Sequence, residues 1–242
     1  MTYLSTLFVS LTLSCGIFGL KLPADFPKCS RTDSKLNECL KTAIEGALQI
    51  MAKGLPEFNL EPIDPIKVPS LTIGEGATGA VRVVQNYKNC QFFNIPKIKV
   101  QNVASVLTDD VFQLNVTFLA KEVYMLSQYM VDGNILLLRI TGEGDCKIVL
   151  NIIGIFTEKK GKKYVEIDSS TVHLDPKKVE MDFKNLFNGD PKLGPEMNKI
   201  LNENWKEIFG DVGHAYEESL GSIFKDVGNL IFKKVSYDEM FL

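Results

Sequence analysis

The chain has 242 residues, with 27 basic against 30 acidic side chains and a net charge of −3. That near-balance, with no basic stripe, excludes the electrostatic footprint of a nucleic-acid binder. The length allows one sizeable domain or two small ones, and no Pro/Ser/Gly linker, charge block or low-complexity stretch divides it, so a single domain is expected.

The chain opens on a hydrophobic run. Tyr3 to Leu13 are apolar apart from small hydroxyl residues, and no charge precedes Lys21. The run falls short of the roughly 20 apolar residues that span a bilayer. Followed by the small residues Ser14, Gly16 and Gly19, it reads as a signal peptide over residues 1–19, with Gly16 as the alternative cleavage site. Residues 20–242 then form the exported domain. Cys15 leaves with the signal, and the remaining four cysteines, an even number in an exported chain, favour disulfides. Cys29 and Cys39 are expected to staple the N-terminal arm to the first helix, a short closure worth roughly 2–3 kcal/mol in the chain-entropy model. Cys90 and Cys146 each fall in a strand-like segment, and either a second bridge or inert buried thiols would fit.

After the extended arm Leu22–Pro27, a helix is expected from Asp33 or Ser34, both good N-caps. Its stripe is Leu36, Leu40, Ile44, Ala47, Leu48 and Met51, and Gly54 and Pro56 end it. The prolines at 56, 62 and 65 impose an extended connection. From about Val68 to Phe183 the pattern is β. Phe112, Leu114, Val116 and Phe118 alternate with more polar neighbours; Asp132-Gly133 is a tight-turn pair; and Gly142 and Gly144 mark a further turn before Cys146–Phe156. Lys159, Lys160, Lys162 and Lys163 around Gly161 read as a solvated hairpin tip, with a transient membrane or receptor contact as the functional alternative. Ile135–Ile140 and Ile148–Phe156 are apolar on both faces, so another element must cover them.

That cover is the C-terminal segment. Trp205, Ile208, Phe209, Val212, Tyr216, Leu220, Ile223, Phe224, Val227 and Ile231 step by three or four, predicting one helix from about Pro195 to Lys234. The glycines at 210, 213, 221 and 228 each cost about 1 kcal/mol in a helix interior. Packing must offset that cost, or the helix kinks near one of them. The fold class is therefore α+β: a strongly curved antiparallel sheet wrapped around a long C-terminal helix.

The residues of catalysis are missing. His173 and His214 stand in unrelated segments, and no HExxH, GxSxG or CxxC occurs. Gly74-Glu75-Gly76-Ala77-Thr78-Gly79 has the letters of a dinucleotide fingerprint without its βαβ setting. No enzyme, metal or cofactor is expected. Asn115-Val116-Thr117 is an N-glycosylation sequon on the polar face of its strand. The inward faces carry an excess of aromatic and flexible side chains, and periodicity alone leaves open whether they fill a core or line a cavity.

Several segments in order resemble one family. Leu22-Pro23 with Phe26 and Cys29, Asn37-Glu38-Cys39-Leu40, Gly54-Leu55-Pro56-Glu57 with Ile63-Asp64-Pro65, the hairpin with Tyr129, Gly133, Ile135 to Leu138, Gly142 and Gly144, and Leu201 to Phe209 are similar to the insect takeout and juvenile-hormone-binding proteins of the tubular lipid-binding superfamily. The resemblance implies an apolar tunnel between helix and sheet, a Cys29–Cys39 disulfide, secretion into haemolymph or a similar fluid, and a monomer carrying a small hydrophobic ligand, a terpenoid or fatty-acyl lipid. The expected tunnel lining is Leu48, Met125, Tyr129, Leu137, Ile152, Phe156, Trp205, Phe209, Tyr216, Leu220 and Phe224, with Tyr129 and Tyr216 holding a polar head. The competing reading is a secreted interaction protein with a solid core.

Overall fold

The structure, a computed structural model, describes residues 19–73, 84–131, 134–141 and 146–242, the side chains from 131 to 151 excepted. The export segment up to residue 18, the Gly74–Gly79 stretch, and the turns at Asp132-Gly133 and at Gly142 and Gly144 lie outside the described residues, as do the side chains of Leu137 and Cys146.

The first helix, α1, runs Leu36–Met51. Asp33 stands just ahead of it, accepting a 2.8 Å bond from the Lys35 amide. Gly54, at φ +79, turns the chain out of the helix, a conformation that glycine adopts without a Cβ clash. Among the described residues nine antiparallel strands follow: β1 Ile66–Ile73, β2 Gln85–Phe93, β3 Lys99–Leu107, β4 Phe112–Ala120, β5 Tyr124–Val131, β6 Asn134–Thr141, β7 Cys146–Lys159, β8 Lys162–Pro176 and β9 Glu180–Phe183. Their ladders form two sheets, β1-β2-β5-β6-β9 and β3-β4-β7-β8. Strand β8 runs well past Asp168, to Pro176. A register shift, from Ile153↔Ser169 to Gly154↔Ile167, absorbs Asp168 and lets the polar stretch Ser169–Asp175 stay paired with β7. The Lys-rich tip is a two-residue turn, with Lys160 at φ 52 and Gly161 at φ 72.

The long C-terminal helix is divided. Helix α2 spans Leu193–Glu203 and α3 Trp205–Phe232, followed by a short α4 at Tyr237–Met240. The break falls at Asn204 (φ −105, ψ 21), not at a glycine. The Asn204 side-chain amide donates to the Ile200 carbonyl at 2.7 Å, sharing that acceptor with its own backbone amide at 3.1 Å. Three of the glycines have packing reasons. A Cβ on Gly221 would collide with the Ser170 carbonyl of β8, one on Gly228 would meet the Ile167 side chain, and one on Gly213 the Phe209 ring, whereas Gly210 faces open space.

Side chains from the helices close two sheet edges that would otherwise be bare. On α3, Asn229 pairs with both the amide and the carbonyl of Ile167, at 2.8 and 3.1 Å, and Glu217 accepts the Leu174 amide at 2.8 Å. On α2, Asn198 and Asn202 bind the amide and carbonyl of Phe183 and Met181 in β9, all at 2.8 to 2.9 Å. The spacings match physically: four residues along a helix rise about 6 Å, and two along a strand about 6.7 Å.

Two hydrophobic clusters result, one under each sheet. Leu48, Val123, Leu220, Phe224, Phe232 and Phe241 pack against both. Near the termini the interior is aromatic and closed. Tyr237 meets Phe156 at 4.9 Å and Phe241 at 5.2 Å, Phe112 meets Phe232 at 5.4 Å, and the Arg31 guanidinium lies 4.5 Å over the Tyr237 ring. The Cys29–Cys39 disulfide sits at this end, where the Leu242 amide donates to the Cys29 carbonyl at 3.0 Å. Cys90 is a free, buried thiol, so it takes no part in a second bridge.

Candidate ligand cavity

The other end is hollow. Trp205, Ile208, Phe209, Val212, Tyr216, Leu220 and Phe224 form one stripe of α3, about 28 Å from first to last at 1.5 Å per residue. They wall a cavity of about 180 Å³. Facing them are Phe92 and Met125 from the first sheet, Ala120 and Leu174 from the second, and Ile95, Val123 and Tyr124 from the connections and strand ends. Pro176 at the end of β8, Lys178 and Val179 in the connection and Met181 in β9 extend the lining; Lys178 is exposed and ion-paired with Glu180. An apolar cavity of about 150 Å³ stays dry and accepts a benzene-sized molecule, so this one admits a ring or a length of hydrocarbon chain.

One polar group of residues interrupts the apolar wall. Gln85 and Tyr216 both line the cavity. The Tyr216 hydroxyl donates to Gln85 Oε1 at 3.3 Å and lies 3.1 Å from the Tyr87 hydroxyl, which also bonds Gln85 Oε1. Burial pushes the Tyr87 hydroxyl up to about 12, partly opposed by its bond to Tyr216. Burial likewise holds Tyr216 well above the ordinary tyrosine value. Both remain neutral near pH 7, so this polar end offers hydrogen bonds without charge. Burial also raises the nearby Cys90 thiol to about 11, which keeps it a thiol.

Of the residues expected to line a tunnel, Met125, Trp205, Phe209, Tyr216, Leu220 and Phe224 come together on this cavity. Tyr129, Leu48, Ile152 and Phe156 stand outside its lining. Tyr129 points inward as its strand alternation requires, but β9 fills the space in front of it: its ring packs edge-on to Phe183 at 5.1 Å and its hydroxyl donates to the Lys184 carbonyl at 2.5 Å. Leu48 lies between the two clusters; Ile152 and Phe156 belong to the closed end. Ile208 and Val212 share the helical stripe and were legible as its members. Gln85, Phe92, Ile95, Ala120 and the 174–181 segment carry no periodic signal that sets them apart, because only the sheet pairing brings them opposite α3.

The two histidines, unrelated in sequence, meet on one carboxylate. His173 Nδ1 lies 3.0 Å and His214 Nδ1 3.8 Å from Glu217. Both rings are exposed, and Glu217 is committed to the Leu174 amide, so the cluster ties β8 to α3. Among the described residues no group of three His, Cys, Asp or Glu side chains is arranged to hold a metal, and no helix is long and apolar enough to cross a membrane.

Comparison with known proteins bears on this architecture as a whole. The family described as haemolymph juvenile hormone binding protein matches residues 6–242. The circadian clock-controlled protein daywake of Drosophila melanogaster is 23% identical over 231 residues, spanning 90% of this chain and 88% of that protein, and its Drosophila yakuba counterpart matches to the same extent. The crystal structure of Epiphyas postvittana Takeout 1 superposes with a TM-score of 0.75 over 89% of this chain and 99% of that one, at 20% identity, a likeness of fold.

Proposed function

The chain belongs to the haemolymph juvenile hormone binding protein family, and from that premise we propose that it is an exported monomeric carrier holding one small hydrophobic ligand, non-covalently, against the α3 stripe. Members of the family are binding proteins rather than enzymes. The observation that carries the proposal is the apolar cavity of about 180 Å³ under Trp205–Phe224, with an uncharged polar corner at Gln85 and Tyr216.

Magnitudes assign the roles. Each methylene buried contributes about 0.8 kcal/mol, so eight supply about 6 kcal/mol. A neutral hydrogen bond nets only about 0.5–1.5 kcal/mol. Affinity therefore comes from the apolar body of the ligand, and Tyr216 and Gln85 select its polar group. A carboxylate brought to that corner would lose its hydration to partners that carry no charge, a cost that an ester, ketone, epoxide or alcohol avoids. The preferred ligand is thus a neutral terpenoid or acyl compound.

The test is native mass spectrometry, with organic extraction, of protein secreted from insect cells, followed by competition between a fatty acid and its methyl ester. A stoichiometric neutral lipid and at least tenfold tighter ester binding are expected. An empty protein that also fails to bind a fluorescent fatty acid would replace the carrier by a partner-binding protein with a solid core. Preference for the acid would move the polar head from Tyr216 to Lys178.

A further inference from the structure

The outer face of the four-stranded sheet carries an apolar patch that the carrier function does not use. Val106 is 48% exposed, Val111 43%, Ile153 42% and Ile155 48%. These residues are distant in sequence, and the ladder gathers them. Val106 on β3 pairs with Gln113 on β4, which pairs with Ile153 on β7, so the three form one row across the sheet. Phe112 pairs with Gly154, and continuing that register by one step sets Val111 beside Ile155. Isolated surface aliphatics need no explanation, but a contiguous group does. This one extends to β3, the last strand of its sheet, whose Val100 amide is bonded by Glu45 of α1 at 2.7 Å. Its β7 members, Ile153 and Ile155, belong to a stretch of sequence, Ile148–Phe156, that is free of charge and proline, the composition that promotes strand-to-strand association.

The sequon lies in the same face. Asn115 sits two residues beyond Gln113 on β4, pairs with Ala104 on one side and Asn151 on the other, and alternates outward while Leu114 and Val116 are buried. Two residues along a strand are about 6.7 Å, which makes Val106 and Ile153 its diagonal neighbours on the surface, within side-chain reach. Thr117, the hydroxyl residue of the sequon, follows on the same face.

We infer that Asn115 carries an N-linked glycan and that the glycan covers the Val106–Ile153 patch, keeping the exported protein monomeric. The sequon stands in the outward face beside these aliphatic side chains, so its first sugars cover them and their bulk keeps a second sheet from stacking there. The inference rests on export through the glycosylating pathway and not on the identity of the ligand.

The experiment uses the full chain recovered from insect-cell medium, so that export is established by recovery and occupancy by intact mass. Asn115→Gln and Thr117→Ala remove the sequon through different atoms. A third variant adds Ile153→Thr and Ile155→Thr to Thr117→Ala. Light scattering gives the association state and a thermal melt gives folding. The expected result is a native protein heavier by an N-glycan and monomeric, with both sequon variants folded but self-associating at concentrations at least tenfold lower. The triple variant should be monomeric again. An unmodified Asn115 in secreted protein overturns the inference, as do sequon variants that stay monomeric throughout. A glycosylated protein that is already a dimer would assign the patch to a second copy.

Discussion

The two ends of the molecule are built from the same kinds of residue and serve opposite ends. Around Tyr237, aromatic rings from β4, β7, α3 and α4 interlock, and Val165, Val235 and Tyr237 are at most 1% exposed. Around Phe209 the rings of α3 stand off from the sheets and leave a cavity. The difference is one of partners. At the closed end both termini return to fill the interior, with Leu20 bonded to the Lys234 carbonyl, Leu242 to Cys29, and Lys28 paired with Glu239 at 2.8 Å. Among the described residues, the lining of the hollow end includes neither end of the chain. Helix α2, which could have packed inward, is instead held on the edge of β9 by Asn198 and Asn202. Polar side chains thus hold α2 on the sheet edge, and none of its residues lines the cavity.

That contrast predicts that truncation at the closed end affects stability and a change at the hollow end affects ligand. Tyr237→Ala should lose about 3–5 kcal/mol in urea unfolding, as buried aromatic deletions do. A loss below 1 kcal/mol would mean that the closed end is as loosely packed as the other. The next largest effect is alkaline. Tyr87 titrates near 10 when unfolded and near 12 when folded, so its contribution is complete below pH 10 and is lost as the pH rises from 10 to 12. With Tyr216 shifted in the same direction, the loss should reach at least about 2–3 kcal/mol. Tyr87→Phe should flatten that part of the stability profile, measured by unfolding at fixed pH.

Smaller changes sharpen the boundary along α3. Phe209→Trp narrows the cavity and should weaken a long-chain ligand about tenfold, or 1.4 kcal/mol, with little change in melting temperature; unchanged affinity removes Phe209 from the ligand surface. Gly221→Ala should cost about 1–3 kcal/mol, because helix and strand must separate to admit the methyl. Gly210→Ala, facing open space, should instead gain up to about 1 kcal/mol. Thermal melts of the pair test whether the glycines mark close approach or hinges.

Much of this organisation was legible from residue spacing. The 3–4 stripe of α1, the alternation of β4 and the long stripe through Trp205–Ile231 are local consequences of helix and strand periods, and each appears in its expected place. The α2–α3 break at Asn204 was not legible, because it falls just ahead of the first stripe residue, Trp205, and the four glycines further on are stronger helix breakers by propensity. Tyr129 shows the limit at the site. Alternation correctly turned it inward, but whether it met a ligand or Phe183 depended on β9, more than fifty residues later.

The sequence by itself determined which faces are apolar, where helices and strands lie, and which family the chain resembles, since these follow from local geometry and from motifs read in order. The tertiary structure alone decided which inward faces touch and which stay apart, because a cavity is a property of the distance between elements. The helices are joined to the strand edges by a few long-range polar contacts, Asn198 and Asn202 on β9 and Asn229 on β8, whose residues look, in sequence, like any other polar positions on a helix.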